Sequence, residues 1–435
     1  MLTLRPHYIS SSLFPDSPVL VRRSLFAVAP FAVIAFAACT AVSEHASNTS
    51  DQGGSAGRPD SGTVSAPAAP TTETSSGSVA APADTSIAPA AARPPGRIDV
   101  EKEFPVVRAL YVNRFAAQST KKMKRLIQMA DETEINALVI DMKDEFGLNY
   151  KPANAEWAKN AGTSGVVRDL PALLDTLRAH KILPIARLVV FKDSVTARLN
   201  PQHTIRQQDG SVWRDKKGLA WVNPYDRKIW EYNIGVAEEL ATMGFGEVQF
   251  DYIRFPEPYK SLPQQVFPGT NGSKPDALAA FLKEANARMD KLGVRTTADV
   301  FGLVTTVGGP LEIGQWWEKI APNVDVMLPM VYPSHYPHGE LGLAAPNAEP
   351  YKVLHISLTR AKQRDEKLGI KQTEHVRPWL QAFTLGKPAY GPAEIEAQKK
   401  GTYDAGYDGW VLWSPGSKYE SFLPAFEKTL VSRKK

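Results

Sequence analysis

The ten residues Glu247-Val248-Gln249-Phe250-Asp251-Tyr252-Ile253-Arg254-Phe255-Pro256 hold the densest set of chemically useful side chains in this 435-residue chain. Polar and apolar residues alternate up to Asp251, as they do along a strand whose two faces meet different surroundings. Pro256 stops the run because it has no N–H for a sheet. A carboxylate at a strand end can serve in acid–base or nucleophilic work, or it can pair with a cation such as Arg254 or Arg187 to hold the rim of a sheet. Two similar runs carry Asp299 and Asp141. Thr297 and Asp299 share one face of the first, and Asp141 and Lys143 one face of the second. Asp141 and Lys143 read as an ion pair, structural or substrate-orienting, and Asp299 as a barrel-lining acid that Lys143 could also neutralise.

What must position these residues is a set of short β-rich runs alternating with amphipathic stretches, the pattern of repeated βα units around a parallel sheet. Strands are expected over 107–113, 137–143, 183–189, 247–252, 295–301, 324–331, 377–383 and 409–414. Helices are expected near 120–132, 170–180, 227–243, 275–292, 311–320, 351–368 and 392–405. Such a series makes an α/β chain of the (β/α)8 TIM-barrel type, residues 98–435, with function at the strand ends and the loops after them. An open doubly wound sheet would show a Gly-rich first turn, whereas the first strand here ends Tyr-Val-Asn-Arg. Alternation turns Asp141, Lys143, Arg187, Gln249, Asp251, Thr297 and Asp299 toward the mouth, and Ile140, Met142, Phe250 and Ala298 toward helices.

The chain resembles a family of bacterial and archaeal glycoside-hydrolase-type domains of unassigned function, distantly similar to α-amylase-type barrels. The likeness lies in the Asp251 run, in Val139 to Asp144, in Trp221-Val222-Asn223-Pro224-Tyr225, in Ala298 to Gly302, in Val331-Tyr332-Pro333-Ser334-His335-Tyr336 and in Arg377-Pro378-Trp379-Leu380-Gln381. It extends from Arg108 nearly to the C-terminus. The resemblance implies an O-glycosyl hydrolase in which Asp251, on strand four, is the nucleophile and Asp299, on strand five, the proton donor. A retaining pair of carboxyls stands about 5 to 5.5 Å apart and an inverting pair roughly 6.5 to 9.5 Å. Asp141, Asp144 and Glu145 are alternative second acids. Members of the family often carry an acid after the strand-seven Gln, where this chain has Ala382; that departure removes a possible third carboxylate.

Sugars expose apolar C–H faces and many hydroxyls, so their sites combine flat aromatics with fixed polar groups. Trp213, Trp221, Tyr252, Tyr332, His335, Tyr336, Trp379 and Trp413 fall on loops or strand ends, and Arg187, Asn223 and Gln381 could meet hydroxyls. Each alone could equally be a packing residue. Two functions follow: a glycosidase acting on a cell-envelope or extracellular polysaccharide, or a non-catalytic carbohydrate-binding lipoprotein whose site has lost a carboxylate. A third option is a barrel reaction through Lys143 as a Schiff-base amine. The formal charge of +5 is spread without a basic run, which argues against nucleic acid. No Cys pair, H-E-x-x-H or G-x-S-x-G motif is present, His335 and His338 are a weak metal pair, and Gly308-Gly309 is a poor phosphate cradle. No cofactor or metal is expected.

The N-terminal part reads as an address. Arg22 and Arg23 precede an apolar run ending Phe36-Ala37-Ala38-Cys39, which resembles a lipobox with Cys39, the chain's single cysteine, as the lipidated residue. Residues 1–39 are thus expected to be a signal segment. Residues 40–97, rich in Ala, Pro, Ser and Thr, are expected to be a disordered linker with a reach of roughly 40 Å. The protein is then exported and anchored in the cell envelope, at the outer membrane or cell surface.

Overall fold

The computed structural model describes residues 98–162, 164–372 and 374–433. The signal segment, Cys39 and the linker lie outside the described residues. The expected strands form as β1 (Arg108–Val112), β2 (Ala137–Asp144), β4 (Leu183–Val189), β5 (Glu247–Asp251), β6 (Arg295–Phe301), β7 (Val326–Met330), β8 (Trp379–Gln381) and β9 (Trp410–Trp413), all parallel to their neighbours. A two-residue β3 (Gly147–Leu148) lies antiparallel to the end of β2. Ala109 of β1 is in register with Ala137 on one side and Val411 on the other, and these pairings close the ring. The fold is the (β/α)8 barrel.

The barrel forms because each strand has two apolar faces. Leu138, Ile140, Met142, Phe250 and Ala298 point outward into the core shared with the helices, while Tyr111, Val139, Ile185, Leu328 and Val411 fill the interior. At the N-terminal end Arg377 donates to both carboxylate oxygens of Glu247 at 2.7 and 3.0 Å. Burial pushes the Glu247 carboxyl up, but Arg377 and Arg295 outweigh it and hold it below the ordinary value. The short α1 (Val100–Glu103) closes that end, with Ile98, Val100 and Phe104 packed on the interior cluster.

Outside the strands run α2 (Arg114–Gln118), α3 (Thr120–Glu132), α4 (Leu170–Ala179), α5 (Ser194–Leu199), α6 (Arg227–Met243), α7 (Lys274–Leu292), α8 (Trp317–Ile320), α9 (Pro350–Lys367) and α10 (Pro392–Asp404). Side-chain caps from Ser119, Asp169, Asp226 and Ser273 start α3, α4, α6 and α7 by accepting from orphan backbone N–H groups. Gly244 and Gly293 end α6 and α7 in the left-handed conformation that glycine adopts without penalty. The helix expected over 311–320 shrinks to α8. Gly314 takes a φ of 88°, and a Cβ there would stand 2.9 Å from Lys274 and 3.2 Å from Phe255 and Leu278, so this stretch is a tight crossing.

Candidate active site

Three carboxyls and one guanidinium meet at the C-terminal mouth of the barrel or just below it. Arg187, near the end of β4, donates from Nη1 to Asp141 Oδ1 at 2.5 Å and from Nε to Asp251 Oδ2 at 3.1 Å, and Nη2 also reaches Asp251. Tyr111 Oη donates to the other oxygen of Asp141 at 2.5 Å. Asp251 Oδ1 accepts from the backbone N–H of Tyr252 at 2.5 Å. That contact needs a bend in the chain directly after the strand, and Tyr252 has a φ of 50°, where non-glycine residues seldom sit. Asp251 is thus held by one cation and one amide while its side chain opens to the cleft.

Asp299 lies deeper. Oδ1 accepts from Trp379 Nε1 at 2.6 Å, Gln249 Nε2 lies 2.9 Å from both oxygens, and Oδ2 is 3.8 Å from Arg187 Nε. The oxygens of Asp251 and Asp299 that flank this nitrogen are therefore at most about 7 Å apart, the sum of its distances of 3.1 and 3.8 Å. Burial, and then the charge of Asp251, push the Asp299 carboxyl well above the ordinary range against the pull of Arg187, Trp379 and Gln249. Asp299 is 1% exposed and does not line the cleft. Asp141 is likewise buried, and burial raises its carboxyl pKa against the opposing pull of Arg187 and Tyr111.

Above these acids opens a cleft of about 260 Å³. Asp251 and Arg187 form part of its lining with Trp221, Tyr252, Arg254, Tyr332, His335, Tyr336, Trp379 and Trp413. Tyr332 and Trp413 stack at 5.1 Å with 26° between their planes. Also in the lining, the Arg254 guanidinium sits about 5 Å from the rings of Trp221, Tyr252 and Phe301, and pairs with Glu257 at 3.1 Å. Burial pushes the His335 imidazole down to about 4, so the ring is neutral at physiological pH.

Several expected site residues lie elsewhere. The Asp141–Lys143 pair does not form: a register irregularity between them turns Lys143 outward, where its ammonium meets Asp193 at 2.7 Å and the carbonyl of Val189 at 2.5 Å. Fully buried and spent on those partners, Lys143 has no route to a carbonyl substrate. Asn223 holds the loop, donating to Pro268 O at 2.7 Å and accepting from Tyr225 N. Gln381 accepts from Ser334 N and donates to Phe383 O. Both are buried scaffold residues. Trp213 is sealed in the loop with its indole on Pro263 O. Asp144 is tied to Arg114. Ala382 belongs to the outer apolar core, so its methyl group points away from the mouth and an acid there would not enter the cleft. His335 and His338 do not converge: their Nδ1 atoms face Ser334 Oγ and Ala344 O respectively.

Sequence reasoning missed Tyr111, Lys192, Asp215, Glu257, Tyr259 and Phe301. Tyr111, Lys192 and Phe301 had a signal, because each lies within three residues of the C-terminal end of a strand. Asp215, Glu257 and Tyr259 sit in long loops whose course no periodicity reports.

Residues 109–419 match the family described as "Putative glycosyl hydrolase domain". The chain belongs to that family. Glycoside hydrolase is the activity class that membership carries. Among solved structures, a hypothetical protein from Ruminiclostridium thermocellum is 32% identical, with 44% of this chain and 97% of that one covered, at a TM-score of 0.40. The PgaB (BpsB) glycoside hydrolase domain from Bordetella bronchiseptica is 13% identical, with 76% of this chain and all of that one covered, at a TM-score of 0.54. The latter likeness is one of fold. No curated protein matches this chain.

Proposed function

We propose that the protein hydrolyses a cell-envelope or extracellular polysaccharide through Asp251. The observation that carries this reading is the setting of that carboxylate: it opens into an aromatic-walled cleft while one guanidinium and one strained backbone N–H fix its orientation. Such a group is suited to attack an anomeric carbon or to activate a water against it. Asp299, sealed beneath Trp379, positions Gln249 and Arg187 and does not reach a leaving oxygen.

The proton donor must face the cleft. Asp215 is engaged at both oxygens, with the indole of Trp221 at 3.0 Å on one and two backbone amides on the other. Glu257 also lines the cleft, its ion pair with Arg254 is made by Oε2, and its longer side chain suits an acid approaching from the wall. Glu257 is therefore the proposed acid. The binding-only alternative loses its motive, since position 382 faces away from the cleft.

The remaining part of the proposal concerns location. Cys39 carries a lipid, and residues 40–97 hold the barrel off an outer-membrane or cell-surface bilayer by roughly 40 Å. Reducing-end release from a panel of bacterial and plant polysaccharides tests the activity. Wild-type protein is expected to release ends, Asp251→Asn to fall by about 10³-fold or more, and Glu257→Gln to keep activity only on substrates with good leaving groups. Release by Asp251→Asn at the wild-type rate would remove Asp251 from the chemistry.

A further inference from the structure

Ion pairs in the cleft do not balance. Each acid that lines it has partners: Asp251 has Arg187 and the Tyr252 amide, Glu257 has Arg254, and Asp215 has the Trp221 indole and two backbone amides. Lys192 has no such partner. It follows β4 by three residues, on a segment held beside the Asp251 run by the hydrogen bond from Val190 N to Asp251 O. Its residue is 7% exposed, yet among the described residues its ammonium has no carboxylate within 4.0 Å and no hydrogen-bond acceptor, only the face of Tyr252 at 4.9 Å from the ring centroid.

Of the acids around Lys192 two are spoken for, and Glu145 acts on the ammonium only from beyond 4.0 Å. Asp193 binds Lys143 at 2.7 Å and also caps α5, and Asp144 binds Arg114. Burial opposes the Lys192 charge, but Tyr252, Glu145 and Asp215 outweigh it, so the amine stays protonated. A buried ammonium with three donors and no acceptor is costly to keep unless something arriving in the cleft satisfies it. At the rim, exposed Lys216 adds positive charge, lying over Tyr259.

We propose that the sugar unit bound beside Asp251 is acidic, carrying a carboxylate of the uronic-acid kind that seats on the Lys192 ammonium. This rests on the glycoside hydrolase reading and names its substrate class. The carboxylate supplies the missing acceptors and the missing charge, while Tyr252 and Arg254 flank the ring.

Uronic-acid oligosaccharides are compared with the same oligosaccharides after carboxyl reduction, which turns the carboxylate into a hydroxymethyl group and changes nothing else. Affinity is measured by calorimetry on the full chain carrying Asp251→Asn, so that turnover does not intrude, and reducing-end release is measured on the wild type. The acidic form is expected to bind about tenfold or more tightly. Adding Lys192→Met is expected to erase that preference, and Lys192→Arg to keep most of it, each variant matching the parent in circular dichroism and melting temperature.

Equal binding of the two forms, binding of neither, or a preference that survives Lys192→Met would overturn the inference. Tighter binding of a sulfated oligosaccharide than of the uronide would overturn the carboxylate assignment. An acidic preference without release by the wild type would leave the inference standing and sink the hydrolase reading, whereas release from neutral glycans with no acidic preference would do the reverse.

Discussion

Arg187 is shared by Asp141 and Asp251, with Asp299 at 3.8 Å, so its removal would strand at least two acids at once. Breaking a buried pair from one side costs about 3 to 5 kcal/mol, because the remaining charge has lost its compensation. Arg187→Met is therefore expected to lower the unfolding free energy, read from urea melts, by that amount. It should also lower kcat, since the Asp251 carboxylate would lose the guanidinium that fixes its orientation. Arg187→Lys is not expected to restore either property, because a single ammonium cannot span two carboxylates as the fork does. An unchanged kcat in Arg187→Met would show that turnover does not depend on this orientation of Asp251. A second residue-scale effect comes from His335. Its folded pKa of about 4 lies below the unfolded value of 6.5, so the native state binds fewer protons. The neutral ring's contribution is fully present above pH 6.5 and is lost as pH falls toward 4, by up to about 3 kcal/mol. Melting temperatures measured from pH 7 to 4 should fall less for His335→Gln than for the wild type, and parallel curves would contradict the assignment.

At the scale of elements, the cleft depends on how closely β6 and β7 approach past their ends. A Cβ on Gly302, just after β6, would stand 2.4 Å from Tyr336 Oη and 2.5 Å from Met330 O. Gly302→Ala must push back the wall that carries Tyr332, His335 and Tyr336. A loss of about 1 to 3 kcal/mol in stability and a raised KM are the expected result. Gly308→Ala is the control, with nothing within 4 Å of its added methyl, and an equal KM change there would show that the effect does not come from the crossing. The sequence was most readable at this scale: period-two alternation located the strands and sent Phe250 and Ala298 outward, because in a barrel both faces are buried for different reasons. It failed where one residue breaks the alternation. The irregularity after Asp141 sends Lys143 to the helix side, and Gly314 cuts short the helix expected over 311–320. Within the site, Asp251, Arg187 and Tyr252 were legible as strand-end residues. Glu257 and Asp215 were not, since a long loop returns to the mouth by contacts made far along the chain.

On the proposed reading the whole molecule joins a barrel to a tether, and the two should behave independently. Among the described residues, Ile98, Val100 and Phe104 seal the N-terminal end of the barrel on the interior cluster. Anchoring through Cys39 would then fix where the cleft works without altering what it does. Full-length protein expressed in a host that processes bacterial lipoproteins, and fed a labelled fatty acid, is expected to take up label and sediment with membranes. Cys39→Ser should abolish both while kcat and KM on soluble oligosaccharides stay within about twofold of the parent, as the proposed division between anchor and barrel requires. Turnover of a polysaccharide embedded in the envelope should nevertheless fall for Cys39→Ser, since a lipid anchor would keep the enzyme at high effective concentration beside its substrate. Uptake of label by the Cys39→Ser protein would place the lipid elsewhere. An equal rate on soluble and embedded substrate for both forms would mean that the anchor contributes nothing to encounter.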